Sequence, residues 1–595
     1  MLESITEVVA LSRIQFAATA LYHFLFVPVT LGLSTLVAIM ETIYVRTGNK
    51  AWRDAAKFWG LLFGINFAMG VATGIPMEFQ FGTNWSVYSD QVGDIFGAPL
   101  AIEGLMAFFL EATFIGMWFF GWNRLSKKAH CVVGWLMALG ATFSAIWILI
   151  ANGFMQNPVG GELNFLTSRV EMTNFLQLVL NPIAQAKFGH TITGGYVCGS
   201  IFVLTISAIY LLKGRNIGFA KRSMTVASTF GLLALIVNIW MGHNAGDLIN
   251  EYQPAKMAAT EAVCEPEEGL AGFNVAGVIV ENIKTGGSCE FKGLHIPKVL
   301  GMITTSTSAN DGSVFSVEEI HEVNKERIKS GIIAVSTKQV LSDKYKAAVK
   351  IYMDDSSHDR TELDRLEEQW MIFSENAKEA GRLNFANYAH ALLKGDAEAQ
   401  AIIDNQIATL TQGLTDPDVI TYAENKYHYG YGMLLQKYVV DVTQADESMI
   451  EKAVNDTVPS IAPNFWAFRI MVGSGFLLLF YLIVAVVLAR KDGFEKCRKF
   501  LVWAIIMFPF PWICIEAGWF LAEYGRQPWA IQDLLPVVKA VSAHPPSDLW
   551  ISLGMFVSVY SILLVVELYL MIKYIKLGPE GTKLEKVSPD GYEKA

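Results

Sequence analysis

Residues 465–489 read FWAFRIMVGSGFLLLFYLIVAVVLA, 25 residues in which Arg469 is the one charge. A helix rises about 1.5 Å per residue, so about 20 apolar residues cross the roughly 30 Å hydrocarbon core of a bilayer. Lipid offers the backbone no water, and a helix satisfies every N–H and C=O within one segment. The stretch is therefore expected to span a membrane. Its far end is marked by Arg490, Lys491, Lys496, Arg498 and Lys499, a cluster that the positive-inside rule keeps in the cytoplasm.

Working outward, eight more runs repeat the pattern, at about 15–44, 58–82, 97–122, 131–154, 184–212, 223–243, 499–523 and 548–573. The connections between them sort by charge. Segment 45–57 carries Arg46, Lys50, Arg53 and Lys57. Segment 123–130 carries Arg124, Lys127 and Lys128, and segment 213–222 carries Lys213, Arg215, Lys221 and Arg222. Segment 83–96 has no Lys or Arg. With the basic connections inside, the N-terminus is outside and the Lys-rich C-terminus inside, which requires an odd number of spans. The expected fold class is all-α: a polytopic membrane helical bundle of nine transmembrane helices, with a large extracytoplasmic loop between helices six and seven. The chain then divides into helices one to six at 1–243, the loop at 244–463, helices seven to nine at 464–574 and a cytoplasmic tail at 575–595.

Composition supports a membrane protein. The 595 residues are 52% hydrophobic and 17% charged, and the mean hydropathy is +0.35. A soluble domain carries closer to a quarter charged residues. The start, MLESITEVVALSR, has neither the basic region nor the small-residue cleavage site of a removed signal. The first apolar run is therefore read as a retained span. The loop holds 34 acidic and 19 basic residues, a net of −15, against −10 for the whole chain. It reads as a folded polar insertion with helical patterns such as DRTELDRLEEQWMIFSENAKEA at 359–380. No internal repeat points to a two-half transporter, and nothing points to a nucleic-acid partner. The six cysteines form no C-x-x-C pair, so no zinc or iron–sulfur site is expected.

Polar side chains inside a span are costly and mark function. His23, Glu103, His190 and Met471 fall in the outer halves of the first, third, fifth and seventh spans, and Glu516 near the outer end of the eighth. Glu111 follows Glu103 by eight residues, about 12 Å deeper and about 80° round the helix, so the two carboxylates can line one path. Each residue also has a plain reading. A lone histidine often only bridges two helices, a methionine usually packs, and Glu103 or Glu516 at an interface reaches water. Arg469 and Arg526 can snorkel to the outer headgroups. Glu41, at the cytoplasmic end of the first span, is read as such an interfacial residue. Two His, one Met and two Glu at one depth, with arginines nearby, are harder to dismiss together. They suit metal–porphyrins whose propionates need cationic partners. Imidazole and thioether together give a six-coordinate low-spin iron, and a single strong axial ligand leaves a position open for a gas. Gly194, one turn beyond His190, leaves room for a porphyrin edge.

On these residues the chain resembles subunit I of cytochrome bd quinol oxidase along nearly its whole length. The matching stretches are LSRIQFAATALYHFLFVPVTLGL, the ETIYV…WRDAAKFWG segment, WAFRIMV and PWICIEAGWFLAEYGRQPWAI, with Gly525-Arg526-Gln527-Pro528-Trp529 a family signature. The resemblance implies a bacterial cytoplasmic (inner) membrane, multi-pass protein that oxidises quinol at the outer face, reduces dioxygen to water and takes protons from the cytoplasm, generating membrane potential. It implies three cofactors: a low-spin heme b on His190 and Met471, a high-spin heme b on Glu516, and heme d on His23 with Glu103 close by. Glu111 matches a proton-path residue, and Lys256 and Glu261 match residues of quinol binding and oxidation. Arg469, Arg526 and Trp512 are implied to lie near heme. Subunit II and a small single-span accessory subunit are the implied partners. The loop beyond QPAKMAATEAVCEPEEG departs from the family pattern and leaves the quinone's identity open.

Heme–copper oxidases need about six histidine ligands, including adjacent ones, and this chain has ten histidines and no His-His pair. The paired histidines of a bc-type cytochrome b are also missing. An oxidase with heme b in place of heme d uses the same ligands. The alternative from another class is a membrane cation transporter or channel without heme, using Glu103 and Glu111. Finally, Cys264 and Cys289 are the only cysteines in the outside loop, where oxidation is permitted, and a disulfide between them is expected.

Overall fold

The computed structural model describes residues 2–267, 270–282, 288–304, 314–354 and 359–581. Most of the tail expected at 575–595 lies outside the described residues. Among them, nine segments are long and apolar enough to cross a membrane.

The first half comprises α1 (Leu2–His23), α2 (Val27–Thr47), α3 (Lys50–Thr83), α4 (Ser86–Ile102), α5 (Phe109–Gly121), α6 (Lys127–Gln156), a short α7 (Phe175–Val179), α8 (Pro182–Leu212) and α9 (Ile217–Tyr252). Local chemistry sets these ends. Gly48, at φ 69°, closes α2 in the left-handed conformation that glycine adopts without a Cβ clash, and the Asn49 side chain then accepts from the Ala51 N–H to start α3. Ser126 caps α6 in the same way, and Asn181 with Pro182 starts α8.

Two expected single spans are broken. The run at 15–44 ends its first helix at His23 and restarts at Val27. Pro28, which has no N–H to donate, sits in the first turn of α2. The run at 499–523 divides into α20 (Arg498–Ile506) and α21 (Phe510–Tyr524), with Pro509 capping the second. The third span contains a π-helical turn at Glu103–Phe108 between α4 and α5, a departure that often accompanies functional sites.

Helix α2 lies in the core, with Leu33, Leu36, Val37 and Met40 fully buried. It meets α8 backbone to backbone: a Cβ added to Gly32 would stand 2.6 Å from Gly199 Cα. Membrane helices have little hydrophobic drive to associate, and such small-residue contacts let them pack closely.

Between α9 and the seventh span lie α10 (Pro254–Glu261), α11 (Val299–Thr304), α12 (Val317–Asp354), α13 (Thr361–Ala380), α14 (Phe385–Lys394), α15 (Ala397–Thr411), α16 (Pro417–Asn425), α17 (Tyr429–Leu434) and α18 (Glu447–Asp456). The antiparallel hairpin of β1 (Phe273–Asn282) and β2 (Ser288–Ile296) precedes α11. A disulfide joins Cys264 to Cys289, with Cα atoms 5.3 Å apart, and so ties the hairpin to the end of α10. Leu366, Phe373, Tyr422 and Leu435 of the insertion belong to a core that continues into Ile95 of α4 and Phe154 of α6. The chain then returns through α19 (Ile461–Arg490), α20, α21 and α22 (Pro546–Gly581).

Candidate functional site

The polar residues expected inside the spans divide into three groups. The first is the set of expected iron ligands. His190 Nδ1 donates to the Asn238 backbone carbonyl at 3.1 Å. His23 Nδ1 lies 2.9 Å from Thr73 Oγ1, whose own proton goes to the Met69 carbonyl at 2.9 Å. A carbonyl only accepts, so His190 Nδ1 is committed as a donor and Nε2 is left as the ligating nitrogen, the usual way a protein fixes a metal-binding imidazole; in His23 the Thr73 hydroxyl engages Nδ1 and orients the ring. Both Glu516 oxygens are buried without a hydrogen-bond partner. A lone carboxyl in that state needs a ligand or a proton. Glycines stand against three of these side chains. A Cβ on Gly74 would sit 3.0 Å from His23 Cε1, one on Gly242 3.1 Å from His190 Cε1, and one on Gly518 3.0 Å from Met471 Sδ. Helix α9 packs on α8 and α19, and α21 packs on α19 and α8, so His190, Met471 and Glu516 stand on neighbouring helices. Among the described residues no three His, Cys, Asp or Glu side chains converge as they would around a bare metal ion. Donors offered singly from separate helices suit porphyrin iron.

The second group is a file of carboxylates. Glu103, in the π-helical turn, accepts from Ser144 Oγ at 2.7 Å. Glu78 on α3 faces Glu103. Glu111 is buried against Gly140 of α6, whose added Cβ would stand 3.2 Å from Glu111 Cα.

The third group surrounds the outer ends of the spans. Glu523 accepts from Arg526 Nη2 at 2.6 Å, Asn152 Nδ2 at 3.0 Å and Gln156 Nε2 at 3.1 Å, with Lys187 Nζ 3.6 Å away. Lys256 Nζ donates to Gln156 Oε1 and Gln253 Oε1, each at 2.7 Å, and to the Ala522 carbonyl at 2.9 Å. Burial holds the Lys256 amine well below the usual lysine range, and nearby Lys187 lowers it further. Glu261 turns the other way. It accepts from Arg469 Nη2 at 2.7 Å, while Arg469 also donates to the carbonyls of Thr260, at 2.8 Å, and Asn274. Burial pushes the Glu261 carboxyl above its ordinary range, and the guanidinium pulls against that.

The structure thus divides the expected quinol pair. Lys256 and Glu261 share α10 but, five residues apart, face different partners. Arg526 is engaged with Glu523 and the Trp529 and Ala530 carbonyls, yet its buried Nε has no partner, and neither has Nε of Arg469. Trp512 Nε1 donates to the Leu25 carbonyl at 2.9 Å, next to the break after His23.

The expectation that Glu41 reaches water is corrected. Glu41 is 1% exposed and bonded to His130 at 2.5 Å and Trp118 at 2.9 Å. Gly134 on α6 lies against it, leaving room for the carboxylate. Sequence reading also passed over Glu78, Lys187 and Glu523. Their signal was the plain one, a charge inside an apolar run.

A family model described as cytochrome bd terminal oxidase subunit I matches residues 11–579. The chain is 42% identical over 581 residues to the cytochrome bd-II ubiquinol oxidase subunit 1 of Escherichia coli (strain K12), covering 98% of each chain. It is 32% identical over 572 residues to the cytochrome bd ubiquinol oxidase subunit 1 of Bacillus subtilis (strain 168), covering 96% of this chain and 94% of that one. The fold is similar to the solved structure of bd oxidase from Geobacillus thermodenitrificans, with a TM-score of 0.66 at 20% identity over 96% of this chain and 99% of that one.

Proposed function

The chain belongs to the cytochrome bd terminal oxidase subunit I family, and on that premise we propose how its residues divide the work of a quinol:oxygen oxidoreductase. The heme-free transporter reading is set aside by the family membership. Such a subunit works with a subunit II and with quinol in a membrane. We assign the bacterial inner membrane, an outside N-terminus, an outside insertion and a small accessory subunit from the charge pattern and the family.

His190 and Met471 hold the low-spin heme b, Glu516 the high-spin heme b, and His23 heme d. When bound, the hemes carry electrons one at a time and activate dioxygen. The observation that supports the assignment is the engagement of Nδ1 in both histidines, by Asn238 O and Thr73 Oγ1, with Glu516 left buried and unpartnered. Arg469 and Arg526 keep a buried N–H free for a propionate.

Quinol oxidation releases two protons and two electrons. Glu261, its carboxylate held by Arg469, accepts a proton at the outer face. Lys256 has all three donors bonded, so it acts on quinol only by exchanging one of these bonds, with Ala522 O the simplest to yield. Glu111 and Glu103 carry protons inward from the cytoplasmic side toward His23. Release outside and uptake inside move charge across the membrane, worth about 2.3 kcal/mol per charge per 100 mV. The test is spectral. In the purified complex, Glu261→Gln is expected to leave every heme band intact and slow quinol oxidation by at least tenfold. An unchanged rate would remove Glu261 from the reaction.

A further inference from the structure

One buried cluster is used by none of these steps. Glu41 on α2, Trp118 on α5 and His130 on α6 meet where these helices approach the basic connections, and they are 1%, 0% and 3% exposed. His130 Nδ1 stands 2.5 Å from Glu41 Oε1, and Trp118 Nε1 donates to Glu41 Oε2 at 2.9 Å. His130 Nε2 stands 2.9 Å from the Trp118 backbone carbonyl.

This geometry fixes the proton count. A carbonyl only accepts, so His130 Nε2 carries a hydrogen. A neutral ring would then aim the bare lone pair of Nδ1 at a carboxylate oxygen 2.5 Å away, which is repulsive. One proton therefore lies between Nδ1 and Oε1, on the imidazole or on the carboxyl. The pair is neutral with that proton and carries a buried negative charge without it.

The surroundings are sparse in other titrating groups. Cys131 of α6 bonds Thr42 of α2. Lys127 of α6 sits over the Tyr44 ring at 5.5 Å. Lys57 of α3 lies 5.0 Å from the Trp122 ring centre, and that indole covers His130 at 4.0 Å between ring centres. Arg124 and Lys128 belong to the same basic connection between α5 and α6.

The same helix pair leads onward. Glu111 precedes Trp118 by seven residues on α5, about 10 Å at the helical rise, and touches α6 at Gly140. From Glu111 to Glu103 is a further eight residues. The pair is thus a buried carboxylate–imidazole site on the basic side of the α5–α6 seam, and Trp118, which holds it, is spaced from Glu111 about as Glu111 is from Glu103.

We propose that Glu41 and His130 form the proton-holding station at the basic mouth of the Glu111–Glu103 file. The pair gives its one proton to an emptied Glu111 carboxylate through a short file of water and regains one from the cytoplasm past Trp122. No electrons move in this step. The inference rests on the reading of Glu111 and Glu103 as the proton route.

The experiment uses the purified holo-complex in vesicles, with proton uptake timed after oxygen is admitted to the reduced enzyme. Heme bands are recorded for each variant. Glu41→Gln and His130→Asn are expected to keep their hemes, slow proton uptake at least tenfold and shift its pH profile. Glu41→Asp is expected to recover most of the rate. If the carboxyl variants fail to assemble, Trp118→Phe removes only one donor to Glu41 and is expected to shift the same profile. Full hemes with wild-type uptake and an unmoved pH profile would make the cluster a structural clasp and overturn the proposal. Glu111→Gln run alongside separates the two readings. Slowed uptake there with normal uptake in Glu41→Gln defeats only the station, and normal uptake in both defeats the route itself.

Discussion

Arg469 Nη2 donates to Glu261 Oε2 at 2.7 Å, joining α19 to the end of α10. The same guanidinium holds the Thr260 carbonyl at 2.8 Å and the Asn274 carbonyl of β1. One cation thus fixes the insertion to the span that carries Met471, two residues further on. The proposed quinol reaction at Glu261 and the proposed heme ligand Met471 therefore share a mechanical joint.

That joint has a pH signature. Burial raises the Glu261 pKa and Arg469 lowers it. As a base Glu261 works only when ionised, so quinol oxidation is expected to fall as pH drops through its folded pKa. Arg469→Gln removes the lowering influence and moves that edge to higher pH. The check is the pH–rate profile of both enzymes with the heme spectrum recorded alongside. Coincident profiles would refute the coupling.

Lys256 is expected to matter to stability as well as to quinol. Lys256→Met leaves Gln253 Oε1 without its donor, while Gln156 Oε1 keeps Gln253 Nε2 and Ala522 O keeps Gln156 Nε2, and an unsatisfied buried acceptor costs about 1–3 kcal/mol. The folded amine's pKa lies well below 10.5. Between that value and the unfolded pKa the unfolded chain binds the extra proton, so stability rises with pH across the window. Lys256→Met should lower the thermal midpoint and flatten this rise, measured from neutral to alkaline pH. A wild-type slope in the variant would contradict the assignment.

On the proposed assignment, His190→Ala and Met471→Leu would each remove one ligand of the low-spin heme. Both are expected to lose its reduced absorption band while the other hemes remain. Full band intensity in both variants would show that the ligands lie elsewhere.

The Cys264–Cys289 bond closes a loop of sequence separation 25. The chain-entropy relation gives such a crosslink about 3 kcal/mol. Cys264→Ser is expected to lower the stability of the insertion by about that amount, read by thermal unfolding or limited proteolysis. Alkylation should reach the two thiols only after reduction.

What the sequence disclosed follows from what each feature depends on. A span depends on its own composition, so all nine candidate segments were legible, as were single polar residues such as His23, His190 and Glu516. The break after His23 was also local, since Pro28 was visible, but the long apolar run masked it. Partners are another matter. Glu41 lies 89 residues from His130 and 77 from Trp118, and nothing in 15–44 distinguishes a carboxylate that reaches water from one that is buried and bonded. Lys256 and Glu261 sit five apart on one short helix, which invited a shared role. Only the packing of α10 between Gln156 on one side and Arg469 on the other separates them.

Heme extraction from the purified complex decides whether this chain presents ligands for three hemes. Two heme b and one heme d per copy of the chain are expected, with His23→Ala losing heme d and keeping both heme b. A complex that contains no heme, or one whose heme d persists undiminished in His23→Ala, would contradict this assignment.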